Sequence, residues 1–177
     1  MVTVAKRLIG FFDRINEIAG RAVSWLTLLL VILVSCDVAM RYIFSISFVA
    51  VQELEWHIFS IIFLIGAGYT LKQNGHVRVD LVYQRLSKRY RAWIDLLGCI
   101  FFLFPGCFLV IKTSVPFVVN SFQMHECSPD PGGLPARYIL KSTIVVGFSM
   151  LMIQGASLFL KRLLFLLTAN DTQEEAT

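Results

Sequence analysis

Polarity along the chain alternates between four long apolar runs and short polar interruptions. The runs cover approximately Ala22 to Phe44 (AVSWLTLLLVILVSCDVAMRYIF), Val51 to Leu71 (VQELEWHIFSIIFLIGAGYTL), Leu96 to Phe122, and Tyr138 to Leu160. Crossing a hydrocarbon core of about 30 Å takes roughly 20 helical residues at 1.5 Å each, and every run meets that length. Backbone groups in lipid find no water, so each span must satisfy its own hydrogen bonds as a helix. The pattern predicts an all-α integral membrane fold of four transmembrane helices.

Two stretches outside the spans carry a different period. In the segment before the first span, residues 1–21, Leu8, Phe11, Phe12, Ile15 and Ile18 recur at helical spacing against Lys6, Arg7, Asp13, Arg14 and Glu17. Between spans two and three the chain reads GHVRVDLVYQRLSKRYRAWI. At 100° per residue, Val82, Tyr83, Leu86, Tyr90, Trp93 and Ile94 share one side there, and Arg85, Lys88, Arg89 and Arg91 the other. Both stretches are expected to be amphipathic helices in the headgroup layer, the second over about 80–94, with aromatics at the interface and cations towards anionic lipid. A solvated charged face, or a brace for a larger membrane partner, would read the same way. Residues 163–177 form a short tail whose acidic end, NDTQEEAT, has the composition of disordered chain.

Composition agrees with lipid as the solvent. Of the 177 residues 56% are hydrophobic and only 16% charged, against about a quarter charged in soluble domains. The net charge of +4 is no nucleic-acid signal, because the cations border the apolar runs. Twelve of the sixteen Lys and Arg fall on one side of the four-span topology: Lys6, Arg7, Arg14, Arg21, Lys72, Arg78, Arg85, Lys88, Arg89, Arg91, Lys161 and Arg162. Arg41, Arg137 and Lys141 fall on the other, and Lys112 lies inside a span. Positive residues are retained inside, so both termini are expected in the cytoplasm. The first span is too long for a signal-peptide core and carries Asp37 and Arg41, so it reads as retained.

Charges inside spans are costly and each needs an account. On this topology Asp37 stands about 22 Å, Arg41 about 28 Å and Lys112 about 25 Å above the cytoplasmic start of its span. Glu53, Glu55 and His57 open span two from the outer side. All six are thus expected in one outer layer, pairing with one another to lock the helices or meeting a partner's polar groups, and Lys112 and Arg41 can also snorkel to the outer interface; a proton or ion relay is the sharper alternative. None sits near the midplane, where transport sites are usually built. Pro105-Gly106 marks a kink in span three. Gly66, Ala67, Gly68, Gly147, Gly155 and Ala156 admit close helix packing, within the chain or with a partner.

The outer loop SPDPGGLPAR contains Ser128, Pro129, Asp130, Pro131, Gly132, Gly133 and Arg137. Three prolines and two glycines predict a stiff series of turns, which either starts span four or docks a partner at low entropic cost. Cys36, Cys99 and Cys107 lie in apolar runs and Cys127 in the loop, with no metal-ligand spacing and no disulfide framework. No residue suggests catalysis, and no cofactor is implied.

Three passages resemble the small membrane subunit of the tripartite ATP-independent periplasmic (TRAP) transporters: RYIF at 41–44 with QELEWHIF at 52–59; GAGYTLKQNGHVRVDLVYQRL at 66–86; and SPDPGGLPARYILKS at 128–142 followed by GFSMLMIQG. The similarity spans roughly residues 15 to 162. The acidic pair often adjacent in that family is separated here by Leu54. The resemblance implies a non-enzymatic four-helix subunit of the bacterial inner membrane, bound to a large membrane subunit that holds the substrate and sodium sites. It also implies a periplasmic binding protein that delivers a carboxylate-bearing organic acid. Two other classes compete. A respiratory-enzyme anchor would need facing histidines for haem, whereas His57, His76 and His125 fall in different layers. A self-sufficient proton-coupled exporter would need Asp37 or Glu53 as its proton site.

Overall fold

The computed structural model describes residues 2–73 and 86–174, with backbone alone from 169 onward. Arg78, Arg85 and the first part of the helix expected over 80–94 lie outside the described residues. Five α-helices make up the rest: α1 (Val2–Phe44), α2 (Val49–Lys72), α3 (Lys88–Gly98), α4 (Phe104–Gln123) and α5 (Arg137–Glu174). A π turn, Cys99–Leu103, joins α3 to α4. There is no strand among the described residues. Four stretches are long and apolar enough to cross a membrane: Thr3–Phe44, Val49–Lys72, Lys88–Gln123 and Arg137–Thr168.

Three elements differ from the sequence reading. The amphipathic segment before span one is not a separate helix, since α1 runs unbroken from Val2. Likewise α3 continues through the π turn into α4. The reason is local: residues 2–44 contain no proline, and residues 88–104 contain only Gly98 as a weak breaker. The π turn sits just before Pro105, whose missing N–H removes the normal bond to the carbonyl of Phe101. There the Phe104 N–H bonds the carbonyl of Cys99 instead, one residue further back than in an α-helix. At the other end α5 continues to Glu174, taking in most of the segment assigned to a tail.

The helix lengths set the shape. At 1.5 Å per residue α2 is about 36 Å long, one bilayer crossing, whereas α1 is about 65 Å. The 45–48 connection keeps α1 and α2 flush at one end. At the other, Lys72 at the end of α2 reaches Glu17, so the first four turns of α1 project past α2. The same end carries α3 and the far part of α5, where Ala92, Leu96 and Leu166 are buried with Phe159 and Leu163.

The helix α5 is the hub. It packs against every other helix, α2 lies between α1 and α5, and α4 packs chiefly on α5. Small residues permit the close approaches. A Cβ on Gly147 would lie 2.7 Å from the Leu64 carbonyl oxygen, and one on Gly68 would meet the Asn16 side chain. Gly20 abuts Tyr69, and Gly155 abuts Leu103. These small residues serve packing within the chain. Because α1 and α4 stand at opposite margins, each keeps a broad exposed apolar face, with Trp25, Leu29 and Ile32 on α1 and Phe108, Leu109 and Val119 on α4.

Candidate functional site

Polar side chains collect at the two ends of the bundle. At the end bearing the N-terminus, Asp13 accepts hydrogen bonds from three residues of α5: Gln154 Nε2 at 3.0 Å, Ser157 Oγ at 2.7 Å and Lys161 Nζ at 2.7 Å. One turn along α1, Glu17 pairs with Lys72 of α2 and with Arg21 of its own helix. Asp95 of α3 pairs with Arg162 of α5 at 2.8 Å. Every charge here that leaves water thus has a counter-charge, as burial requires. Asn16, Gln154 and Ser157 are 0%, 1% and 0% exposed, so this is the interior of a four-helix junction.

The sequence reading missed this junction. It treated Lys72, Lys161 and Arg162 as orienting charges, and Asp13 and Glu17 as a surface face. A usable signal was present: Gln154, Ser157 and Lys161 lie at i, i+3 and i+7 on one face of an apolar helix, and Asp13, Asn16 and Glu17 lie at i, i+3 and i+4 on one face of α1.

At the opposite end Glu53 turns to the Pro-Gly loop. One of its oxygens accepts from the Ser128 hydroxyl, and the other accepts from the backbone N–H of Leu134. The loop closes on itself through Gly133 N–H to the Asp130 carbonyl (3.0 Å), Ser128 N–H to the Leu134 carbonyl (3.2 Å) and Asp130 N–H to Ser128 Oγ (3.2 Å). Gly132 has φ +81°, and a Cβ on Gly133 would sit 2.8 Å from Glu53 Oε2; both positions therefore demand glycine. Arg137 closes the loop by donating its N–H to the Glu126 carbonyl (3.0 Å). Glu126 pairs with Lys141, which lies 4.0 Å from the centre of the Phe117 ring. That ammonium holds the Glu126 carboxyl below the usual carboxylate range. The loop is a pinned, turn-rich surface whose anchor reaches up from α2.

The six residues expected in one interacting layer separate into four settings. Asp37 and Arg41 pair within α1 at 2.5 Å. Glu55 of α2 interacts electrostatically with both, and its Oε1 is buried without a hydrogen-bond partner among the described residues. Glu53 belongs to the loop, and His57 Nδ1 lies 2.6 Å from the Glu53 backbone carbonyl. Lys112 stands apart, exposed on α4. The height arithmetic could not foresee this, because α4 packs chiefly on α5 and so does not bring Lys112 to Asp37 or Glu55.

In the basic belt Lys88, Arg89 and Trp93 are exposed on α3, and Arg91 Nε donates to the Leu86 carbonyl at 2.8 Å. Ser87 caps the helix, its hydroxyl oxygen accepting from the Tyr90 N–H at 3.5 Å. The side of α3 that meets α5 carries Ala92, Asp95 and Leu96, leaving Tyr90, Trp93 and Ile94 exposed. Among the described residues no group of three or more His, Cys, Asp or Glu could hold a metal ion.

A search of curated proteins finds no match to the chain. The family model for the DctQ component of tripartite ATP-independent periplasmic transporters matches residues 30–165. That interval takes in the Asp37–Arg41–Glu55 cluster, the Glu53-anchored loop and the α5 side of the junction. Its partners, by family, are a large membrane subunit and a substrate-binding protein. With most of its length covered, this multi-pass membrane chain belongs to the DctQ family, the small components of the tripartite transporters.

Proposed function

We propose that this chain is the stationary brace of a sodium-coupled uptake system for organic acids in the bacterial inner membrane. It holds the large subunit, which carries the substrate and sodium sites, and itself moves no solute. Both termini, the four-helix junction and the exposed cations of α3 lie in the cytoplasm, as the Lys and Arg asymmetry requires. The Ser128–Arg137 loop faces the periplasm and is the surface on which the binding protein docks.

One observation carries this reading: Asp13, Glu17 and Asp95 at one end, and Glu53 and Glu126 at the other, tie helices or a loop together. A brace needs such ties, whereas a carrier needs a polar path between them. The membrane-facing breadth of α1 and α4 further supports a chain built to sit beside others.

The test is reconstitution in vesicles with an imposed sodium gradient. The complete set of chain, large subunit and binding protein should accumulate a labelled organic acid, and the chain alone should accumulate none. Uptake or efflux by the chain alone would overturn the proposal and favour a stand-alone exporter. With the complete set, replacing residues 128–135 by Ser/Gly should lower uptake without releasing the large subunit; unchanged uptake would show the loop to be a turn only.

A further inference from the structure

We infer that the Lys112 face of α4 is the surface that grips the large subunit, through a membrane-embedded acidic side chain of that partner. The inference rests on the brace reading above and names where the brace makes contact.

Lys112 lies eleven residues before Gln123, the end of α4, and so about 16 Å from that end along the helix. The opposite end of the continuous helix, Lys88, is farther still. Helical side chains lean towards the helix N-terminus. Lys112 therefore leans away from the Gln123 end, so reaching the outer interface requires its side chain to turn back along the helix. It is exposed and has no ion-pair partner among the described residues. Phe108, Leu109, Val115 and Val119, all exposed, share its side of α4 at 100° per residue.

A second observation falls at the same place. Pro116 lies inside α4, four residues on. Lacking an N–H, it cannot donate to the carbonyl of Lys112, which the helix would otherwise satisfy. One spot on an apolar surface thus presents an ammonium and a carbonyl deprived of its helical donor. Lipid tails can answer neither group.

The other margin differs. On α1 the exposed cation within the apolar run 22–44, Arg41, is already paired with Asp37, and Trp25, Leu28, Leu29 and Ile32 need nothing but lipid. Glu55 has its Oε1 buried within its own chain. Charge complementarity therefore selects α4 and asks the partner for a carboxylate.

The experiment uses the chain co-expressed with the large subunit and purified through a tag on the chain. K112M makes the span more apolar, so insertion cannot suffer, yet the recovered large subunit should fall by about tenfold or more. K112R should keep it. Photo-crosslinking residues placed at Phe108 and Val119 should capture the large subunit, and one at Ile32 should not. Full recovery with K112M would overturn the inference, as would crosslinks from Phe108 and Val119 to lipid alone or to a second copy of the chain. If the large subunit co-purifies with the unaltered chain while any of these holds, the brace reading survives and only the assigned face is lost. If it never co-purifies, both fall.

Discussion

The two polar ends of the bundle solve different problems with the same residue type. At the junction, carboxylates of α1 and α3 receive side chains from other helices, and each bond links segments far apart in the chain. At the loop end, Glu53 instead receives one hydroxyl and one backbone N–H from a single short turn. A carboxylate that accepts from several helices fixes their relative positions. One that accepts from a turn fixes a surface and leaves helix packing to the apolar contacts beneath.

Three measurements can break or sharpen this contrast. The largest effect is expected from D13A, which leaves the Gln154 amide and the Ser157 hydroxyl buried without their acceptor. The expected cost is about 3 kcal/mol, because a buried network loses its shared member. Thermal unfolding of the detergent-purified chain reads it directly, and a melting point unchanged from the unaltered chain would contradict the junction's role. E53A should lower the melting point less than D13A does, while amide exchange across residues 128–134 quickens markedly. Equal losses for D13A and E53A would erase the difference between the ends.

The smallest effect concerns pH. The carboxyl of Glu126 is held below its usual value by Lys141. A group whose folded pKa is depressed contributes stability above its unfolded pKa and loses it as pH falls through the folded value. Melting should therefore be insensitive to this pair from pH 7 to 5. E126Q should remove a small part of the decline seen below about pH 4.

The sequence made the spans legible because lipid imposes one requirement, about 20 apolar residues, that survives any detail of packing. Continuity was harder to see. The cationic stretches look like separate interfacial helices, yet nothing between 2 and 44 or between 88 and 98 breaks the hydrogen-bond ladder. Depth could be counted for Lys112 and Asp37, but azimuth could not, since neighbouring helices are chosen by contacts such as Gly147 against Leu64. The Asp13 junction was hidden for the same reason: its partners are 141 to 148 residues away. The loop was read as stiff from its prolines and glycines, and the structure adds the carboxylate that pins it.

The π turn at Cys99–Leu103 has a consequence for direction. Ala92 and Leu96 on α3 and Cys107 and Ser121 on α4 are buried, and between them the turn itself meets α5, where Leu103 abuts Gly155. A wide turn takes up about one extra residue, roughly 100° of rotation, so its length sets which side of α4 follows α3. It acts as a dial set by a single amino acid. Delete one residue within it and the distal half of the helix would swivel, re-aiming its lone ammonium while leaving its depth almost untouched.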